Sequence, residues 1–475
     1  MKIEGIKGTL FPYQLEGVKF FIKNNGKAIL ADTMGLGKTL QSLAYVVQSK
    51  KKKTIVICPS SVKYVWAGEV KKWTHLKYLV IDSQTKLTKK KLDKYDIFII
   101  NYDILKKYGY LLHAAKFNCL ICDEFHYIKN IKAKRTQYVR AIAKGIPSII
   151  LMSGTPLLSR PVELFNGLNL MDPTVWNNWI RFTIRYCAGK KGYFGWECKG
   201  ATNIDELKER MGKYFLRRTK EEVLTQLPPK RFVSYPVRLE SSILKKYRLA
   251  EISFIDYLKA EKKKVFKEMG AGALRLKKLN ALREMTSNGK IEAAKDIIQN
   301  IVDSGEKVVV FSMYNNPLTE LHETFKSSSV LLTGGTPDKK RRDMIERFQK
   351  DDKLKVFFGG MKSAGVGITL TSASNVLFID YSWVPGDHSQ AVDRVHRIGQ
   401  TAESITAYQM FSKNTIDEQM NNTLRKKQKI FDRLIEKDNV NTGLFENNES
   451  SLMQGVLKEL EKKEVKYFTS TKLGV

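Results

Sequence analysis

The chain has 475 residues, 43% of them apolar, which is too long for one compact core and rich enough to fill two or three, so global disorder is excluded. Its 82 Lys and Arg against 49 Asp and Glu leave a net charge of +33, spread in runs along the whole length, which points to a polyanionic partner rather than a single basic tail. Residues 1–7 lack the apolar centre of a secretion signal, no apolar run approaches a membrane span, and five cysteines without paired spacing fit a reducing compartment, so the expectation is a soluble, intracellular protein with no membrane role.

Short β-branched and apolar runs at 28–31, 54–58, 78–81, 97–100, 118–122 and 148–152 alternate with longer mixed segments. Buried parallel strands separated by helices give this pattern. The first run leads into Asp32-Thr33-Met34-Gly35-Leu36-Gly37-Lys38-Thr39, a glycine-bearing turn before a helix. Backbone N–H groups at Gly35 and Gly37 and the helix N-terminus would cradle phosphate oxygens, Lys38 would neutralise the β and γ phosphates, and the Thr39 hydroxyl would ligate Mg²⁺. The standard phosphate-loop pattern has glycine where this chain has Asp32, and an ordinary glycine turn with a surface lysine is the plainer alternative.

The fifth run delivers Asp123-Glu124-Phe125-His126 just past a strand end, where acids reach the crevice at the carboxyl edge of a parallel sheet. Asp123 would hold Mg²⁺, directly or through water, and Glu124 would orient and deprotonate the attacking water; phosphoryl transfer needs that division of labour. His126 reads as relaying nucleotide state rather than binding metal, and Phe125 has no evident role. Cys119 and Cys122 lie three apart on the strand, pointing to opposite faces, and read as core cysteines rather than a zinc pair.

From about 160 to 220 the text turns aromatic and mixed, an inserted and mainly helical element. A proline-marked joint at 227–231 follows, then a charged helical stretch at about 241–300 and a second strand series at 307–311, 354–358, 375–379 and 405–410. The economical fold class is α/β with two lobes on parallel sheets. On this reading 1–225 is an N-terminal lobe with the insertion, 226–240 a linker, 241–425 a C-terminal lobe with a helical protrusion, and 426–475 a helical tail. In the second lobe Arg394 and Arg397 lie three apart, on one face if helical, and would meet the charge developing at a γ-phosphate. A basic face touching water or nucleic acid is the plainer alternative.

The phosphate loop, the acidic box with Lys129-Asn130 after it, Ser153-Gly154-Thr155-Pro156, and Gln390-Ala391-Val392-Asp393-Arg394-Val395-His396-Arg397-Ile398-Gly399-Gln400 together resemble the Swi/Snf-type ATPases of helicase superfamily two, in the correct order over about 11–400. The resemblance implies two RecA-like lobes, ATP and Mg²⁺ as cofactors, a DNA-stimulated ATPase releasing ADP and phosphate, and translocation on double-stranded DNA without full strand separation. It implies that Gln14, in Phe11-Pro12-Tyr13-Gln14, reads adenine, that Gly367 joins the nucleotide-binding set, and that Ser153, Thr155 and Gln390 couple the lobes with His126. Ser60 and Ser61, Asn101 and Tyr102, Ser312, and Lys362 and Ser363 match segments that contact a nucleic-acid backbone, where hydroxyls and small residues suit phosphate contact. Blocks at 160–164, 182–187 and 216–230 resemble the fork-remodelling, annealing-helicase branch, which adds forked DNA as a partner. Thr33 departs from the family, which commonly has an acid there. An RNA helicase or translocase, or a catalytically silent DNA-binding scaffold, are the competing readings.

Overall fold

The apolar runs become strands buried on both faces, and the chain divides after Gln226 into two units. The computed structural model describes residues 3–51, 53–154, 161–192, 195–198, 200–224, 226–253, 271–361, 368–382 and 385–422.

The first unit is built on a seven-stranded sheet in the order β3-β4-β2-β5-β6-β1-β9, with every pairing parallel. These strands are β1 (Lys27–Leu30), β2 (Thr54–Cys58), β3 (Tyr78–Ile81), β4 (Ile97–Asn101), β5 (Cys119–Asp123), β6 (Ser148–Met152) and β9 (Phe215–Leu216). β2, β4 and β6 are buried at every position, as expected where helices cover both faces of a parallel sheet. Helices α1 (Pro12–Lys23), α2 (Lys38–Gln48) and α3 (Lys63–Trp73) supply part of that cover.

The inserted stretch contributes helices Phe165–Met171, Trp179–Tyr186 and Ile204–Gly212 and a small antiparallel hairpin, β7 (Lys190–Gly192) with β8 (Gly195–Glu197). Trp176, Phe182 and Tyr186 pack ring to ring, with Phe182 5.8 Å from Trp176 and 5.1 Å from Tyr186. That cluster explains the aromatic text of the insertion. The chain then returns to the main sheet as β9, beside β1.

The second unit carries a six-stranded sheet in the order β10-β15-β14-β11-β13-β12, again parallel throughout. Its strands are β10 (Lys230–Val237), β11 (Val308–Ser312), β12 (Ser329–Leu332), β13 (Val356–Gly360), β14 (Asn375–Phe378) and β15 (Ile405–Ser412). Alternate residues face opposite cores: Val309 and Phe311 join Phe348 and Val395, whereas Val308 and Val310 join Ile298 and Leu321.

One expectation is corrected here. Residues 226–240 are not simply a linker, because β10 pairs with all eight residues of β15. As an edge strand it keeps seven of its eight residues, Lys230 to Pro236, exposed or half-exposed and tolerates Pro236, so its sequence lacks the apolar signal of a buried strand. The tail expected at 426–475 lies outside the described residues. Among the described residues no helix is long and apolar enough to cross a membrane.

Candidate functional site

The loop after β1 bends through Gly35 and Gly37, at φ 89° and 72°, and opens α2 at Lys38. Gly37 is required twice over: its backbone is left-handed, and a Cβ there would stand 2.4 Å from Gln14 Nε2. The first turn of α2 carries no side-chain cap, so its N–H groups face the loop mouth as anion donors. Lys38 Nζ donates to the Asp32 and Thr33 carbonyls at 2.7 and 3.3 Å. Thr39 is half-buried beside it, and the buried Thr33 hydroxyl has no hydrogen-bond partner in the structure. Gln14, 3% exposed, accepts from Phe11 N at 3.1 Å and donates to Leu36 O at 3.3 Å, so the start of α1 is tied to the loop.

The acidic box closes the opposite side. Asp123 Oδ2 accepts from Trp66 Nε1 at 2.9 Å, Oδ1 accepts from Glu124 N at 3.0 Å, and the Asp123 carbonyl accepts from Tyr102 OH at 2.8 Å. Glu124 is held in the left-handed region, φ 49°, which a non-glycine residue adopts only when its surroundings impose it. Its Oε2 accepts from Ser153 Oγ at 3.1 Å, and His126 Nδ1 lies 3.3 Å away. Sheet order makes this meeting possible, because β6 lies between β5 and β1 and delivers Ser153 between acid box and phosphate loop. A Cβ on the next residue, Gly154, would stand 2.4 Å from Met34 Cγ and 3.2 Å from Lys38 Nζ, so box and loop are contiguous.

The two acids are driven apart electrostatically. Burial, then the neighbouring Glu124, pushes the Asp123 carboxyl up to about 6 despite Trp66 and Lys38. Burial also opposes ionisation of Glu124, but His126, Lys38 and Ser153 together outweigh it and hold that carboxyl below its ordinary value. A pair separated in this way suits one group that stays charged as a base and another whose charge calls for a cation. No cluster of three or more metal-ligating side chains occurs among the described residues. Two protein oxygens, Thr39 and Asp123, nonetheless fit a hard cation that keeps water and phosphate as its other ligands.

Phe125, without a role in the sequence, is 1% exposed and packs in the main core. A Cβ on Gly167 would come within 3.0 Å of its ring, so it anchors the box to the helix that opens the insertion. Cys119 and Cys122 are fully buried and free, with burial pushing the Cys119 thiol up to about 12 and Cys122 higher still, as suits core residues.

Other expected contacts divide. Ser60 and Ser61 are exposed on the turn after β2, at the same carboxyl edge. Asn101 and Tyr102 are turned inward, 6% and 1% exposed, with Asn101 donating to Asp103 at 3.4 Å and Tyr102 occupied by Asp123. Ser312 is fully buried and donates to Asp380, which also gathers Ser287 Oγ and Met313 N. Tyr102 and Ser312 thus each satisfy a buried polar group of their own unit, whereas Asn101 turns to the exposed Asp103.

Arg394 and Arg397 do not share a helix face. The helix Pro385–Val392, which carries half-buried Gln390, ends before them, and tighter i→i−3 bonds from Arg394 N and Val395 N turn the chain. Arg394 is 2% exposed, whereas Arg397 is half-exposed and donates to Asp393 O and Thr369 Oγ1, both at 2.9 Å. Thr155, Lys362, Ser363 and Gly367 lie outside the described residues. Sequence reasoning did not single out Trp66, for which no local motif exists. Nor did it single out Arg218 as a partner of Asp32, although an acid at a loop base calls for one.

Residues 13–290 match the SNF2-related domain, and residues 289–399 match the helicase conserved C-terminal domain. A human protein described as DNA annealing helicase and endonuclease ZRANB3 is 31% identical over 444 residues, covering 90% of this chain and 40% of that protein. A Caenorhabditis elegans protein described as a SWI/SNF-related matrix-associated actin-dependent regulator of chromatin subfamily A-like protein 1 homolog is 34% identical over 444 residues, covering 88% of this chain and 61% of that one. Both relatives are thus substantially longer than the region matched. Among solved structures, the Sulfolobus solfataricus SWI2/SNF2 ATPase core in complex with dsDNA aligns at 26% identity and a TM-score of 0.46, covering 95% of this chain and 98% of that one. With more than half of its length inside the first of these domain matches, the chain belongs to the SNF2-related family.

Proposed function

We propose that this protein is a DNA-stimulated ATPase that converts hydrolysis of ATP to ADP and phosphate into translocation along double-stranded DNA. The observation that carries the reading is the Asp123–Glu124 pair, with opposite shifts in acidity, set against a glycine-bearing loop and Lys38. Lys38 and the uncapped N–H groups of α2 bind the phosphate chain, and Gln14 fixes the base. Bound Mg²⁺, held by Thr39 and Asp123, would compensate phosphate charge. Glu124 orients the attacking water and takes its proton as the bond to the leaving ADP oxygen breaks. Ser153 and His126 hold Glu124 in place. Arg397 is assigned the compensation of γ-phosphate charge, and buried Arg394 the support of its turn.

The DNA reading is supported by family membership, by the charge of +33, and by Ser60 and Ser61 exposed at the sheet edge. The relatives' names speak for annealing, and we extend this reading to forked DNA as a preferred substrate inside the cell. Phosphate release measured at fixed salt with duplex DNA, forked DNA, single-stranded DNA and RNA tests it. Duplex and forked DNA should stimulate turnover, and forks more strongly. Equal stimulation by RNA overturns the DNA assignment, and no turnover with any nucleic acid overturns the enzyme.

A further inference from the structure

Asp32 occupies the first position of the phosphate loop and is fully buried. A bare carboxylate there would repel the phosphates the loop is built to receive. Its oxygens are instead fully engaged. Oδ1 accepts from Arg218 N at 3.0 Å and Arg218 Nε at 3.1 Å, while Oδ2 accepts from Arg218 Nη2 at 2.6 Å and Gln41 Nε2 at 3.1 Å.

Arg218 reaches two helices from the same position. Its Nη2 also donates to Gln41 Oε1 on α2 at 2.9 Å, its Nη1 donates to the Tyr13 carbonyl on α1, and its guanidinium lies 5.5 Å from the Tyr13 ring centroid. Glu16 stands 3.7 Å away at the more exposed rim. Gln41 Nε2 continues to Leu36 O at 3.2 Å, the carbonyl that Gln14 also approaches. The network thus joins loop, base-facing helix and phosphate-facing helix through one guanidinium. A Cβ on Gly17 would lie 1.9 Å from Gln41 Oε1 and 3.1 Å from Arg218 Nη2, so α1 closes on the network only as glycine.

The backbone around Arg218 belongs to the same device. Ile29 N, Ala31 N and Thr33 N donate in turn to the carbonyls of Tyr214, Leu216 and Arg218, at 2.7, 2.8 and 3.0 Å. The segment that follows the insertion therefore runs beside β1 and on into the loop itself, before continuing towards the second unit at Leu227.

We propose that Arg218 is a positioning residue for the nucleotide. It cancels the charge of Asp32 and holds the loop, α1 and α2 in one arrangement, so that nucleotide affinity depends on the segment leading out of the first unit. This rests on the loop being a nucleotide site. Lysine cannot replace it, because a single ammonium lacks the planar fork that serves Asp32, Gln41 and Tyr13 together.

The test is equilibrium binding of a fluorescent ATP analogue with Mg²⁺ to the full chain, alongside thermal melting and the ATP dependence of turnover. Arg218→Met should weaken binding by about ten-fold or more, because it orphans a buried carboxylate under the phosphates. The loss should appear in KM more than in kcat. Adding Asp32→Asn to Arg218→Met should recover a large part of the affinity, since no charge is then orphaned; a merely structural clamp would be broken further by the second change. Arg218→Lys should weaken binding about three- to ten-fold, and this arm decides the matter should Arg218→Met not fold. Wild-type affinity in a folded Arg218→Met or Arg218→Lys protein, or no recovery in the double variant, overturns the proposal. A wild-type protein that binds no nucleotide overturns the assignment of the loop instead.

Discussion

Ser153 Oγ donates to Glu124 Oε2 across 3.1 Å, joining the ends of two adjacent strands, β6 and β5, in a site where both side chains are buried. The bond fixes a carboxylate whose backbone is already in the left-handed region. If Glu124 is the base, its aim depends on this hydroxyl. Ser153→Ala is expected to lower kcat by roughly ten-fold, the value of one hydrogen bond to a charged group, with a smaller change in KM. Steady-state phosphate release measures both, and an unchanged kcat would leave Ser153 without the role assigned to it.

Asp123 makes a pH-dependent prediction. Its folded pKa of about 6 lies above the ordinary carboxylate value, so the folded protein binds the proton more tightly than the unfolded chain. The stabilising contribution is therefore complete below the unfolded pKa and is lost as pH rises through about 6. At pH 7.5 the ionised, buried group is a burden amounting to about 3 kcal/mol at most. Without nucleotide or metal, Asp123→Asn should be more resistant to urea than the parent at pH 7.5, with the difference shrinking towards pH 5. A pH-independent difference would show that burial is not what raises this carboxyl.

Lys290 and Asp417 form an ion pair in the second unit at 0% and 2% side-chain exposure. Asp417 also accepts from Thr286 Oγ1 at 3.1 Å and Ser412 N at 3.4 Å, which ties the helix Ala271–Asn288 to the end of β15. Lys290→Met orphans the carboxylate and should cost about 3–5 kcal/mol in urea unfolding, whereas Lys290→Met with Asp417→Leu should regain most of it. Equal losses in both variants would mean that packing around Lys290, rather than its charge, sets the cost.

Most strands, though not the short β9 and β12, were legible because burial on both faces of a parallel sheet leaves unbroken apolar runs such as Ile55-Val56-Ile57 and Val308-Val309-Val310. β10 was not, since an edge strand carrying Arg231 and Pro236 reads as a joint. The acid box and phosphate loop were legible from their order and from their places at strand ends. The inward turn of Tyr102 and Ser312 was not legible for a different reason. A hydroxyl that suits a phosphate suits a buried carbonyl or carboxylate equally well, and only the fold decides which is nearer. The spacing of Arg394 and Arg397 puts them on one face only if they are helical, and the helix ends at Val392. Phe125 carries no signal of its role because the Gly167 that packs against its ring is distant in the chain.

Phosphate release by the parent and by Glu124→Gln, with saturating duplex DNA and Mg²⁺–ATP, tests the central claim most directly. Removing a general base should slow turnover by at least about 100-fold while nucleotide binding persists. A Glu124→Gln protein that turns over within a few-fold of the parent would contradict the account.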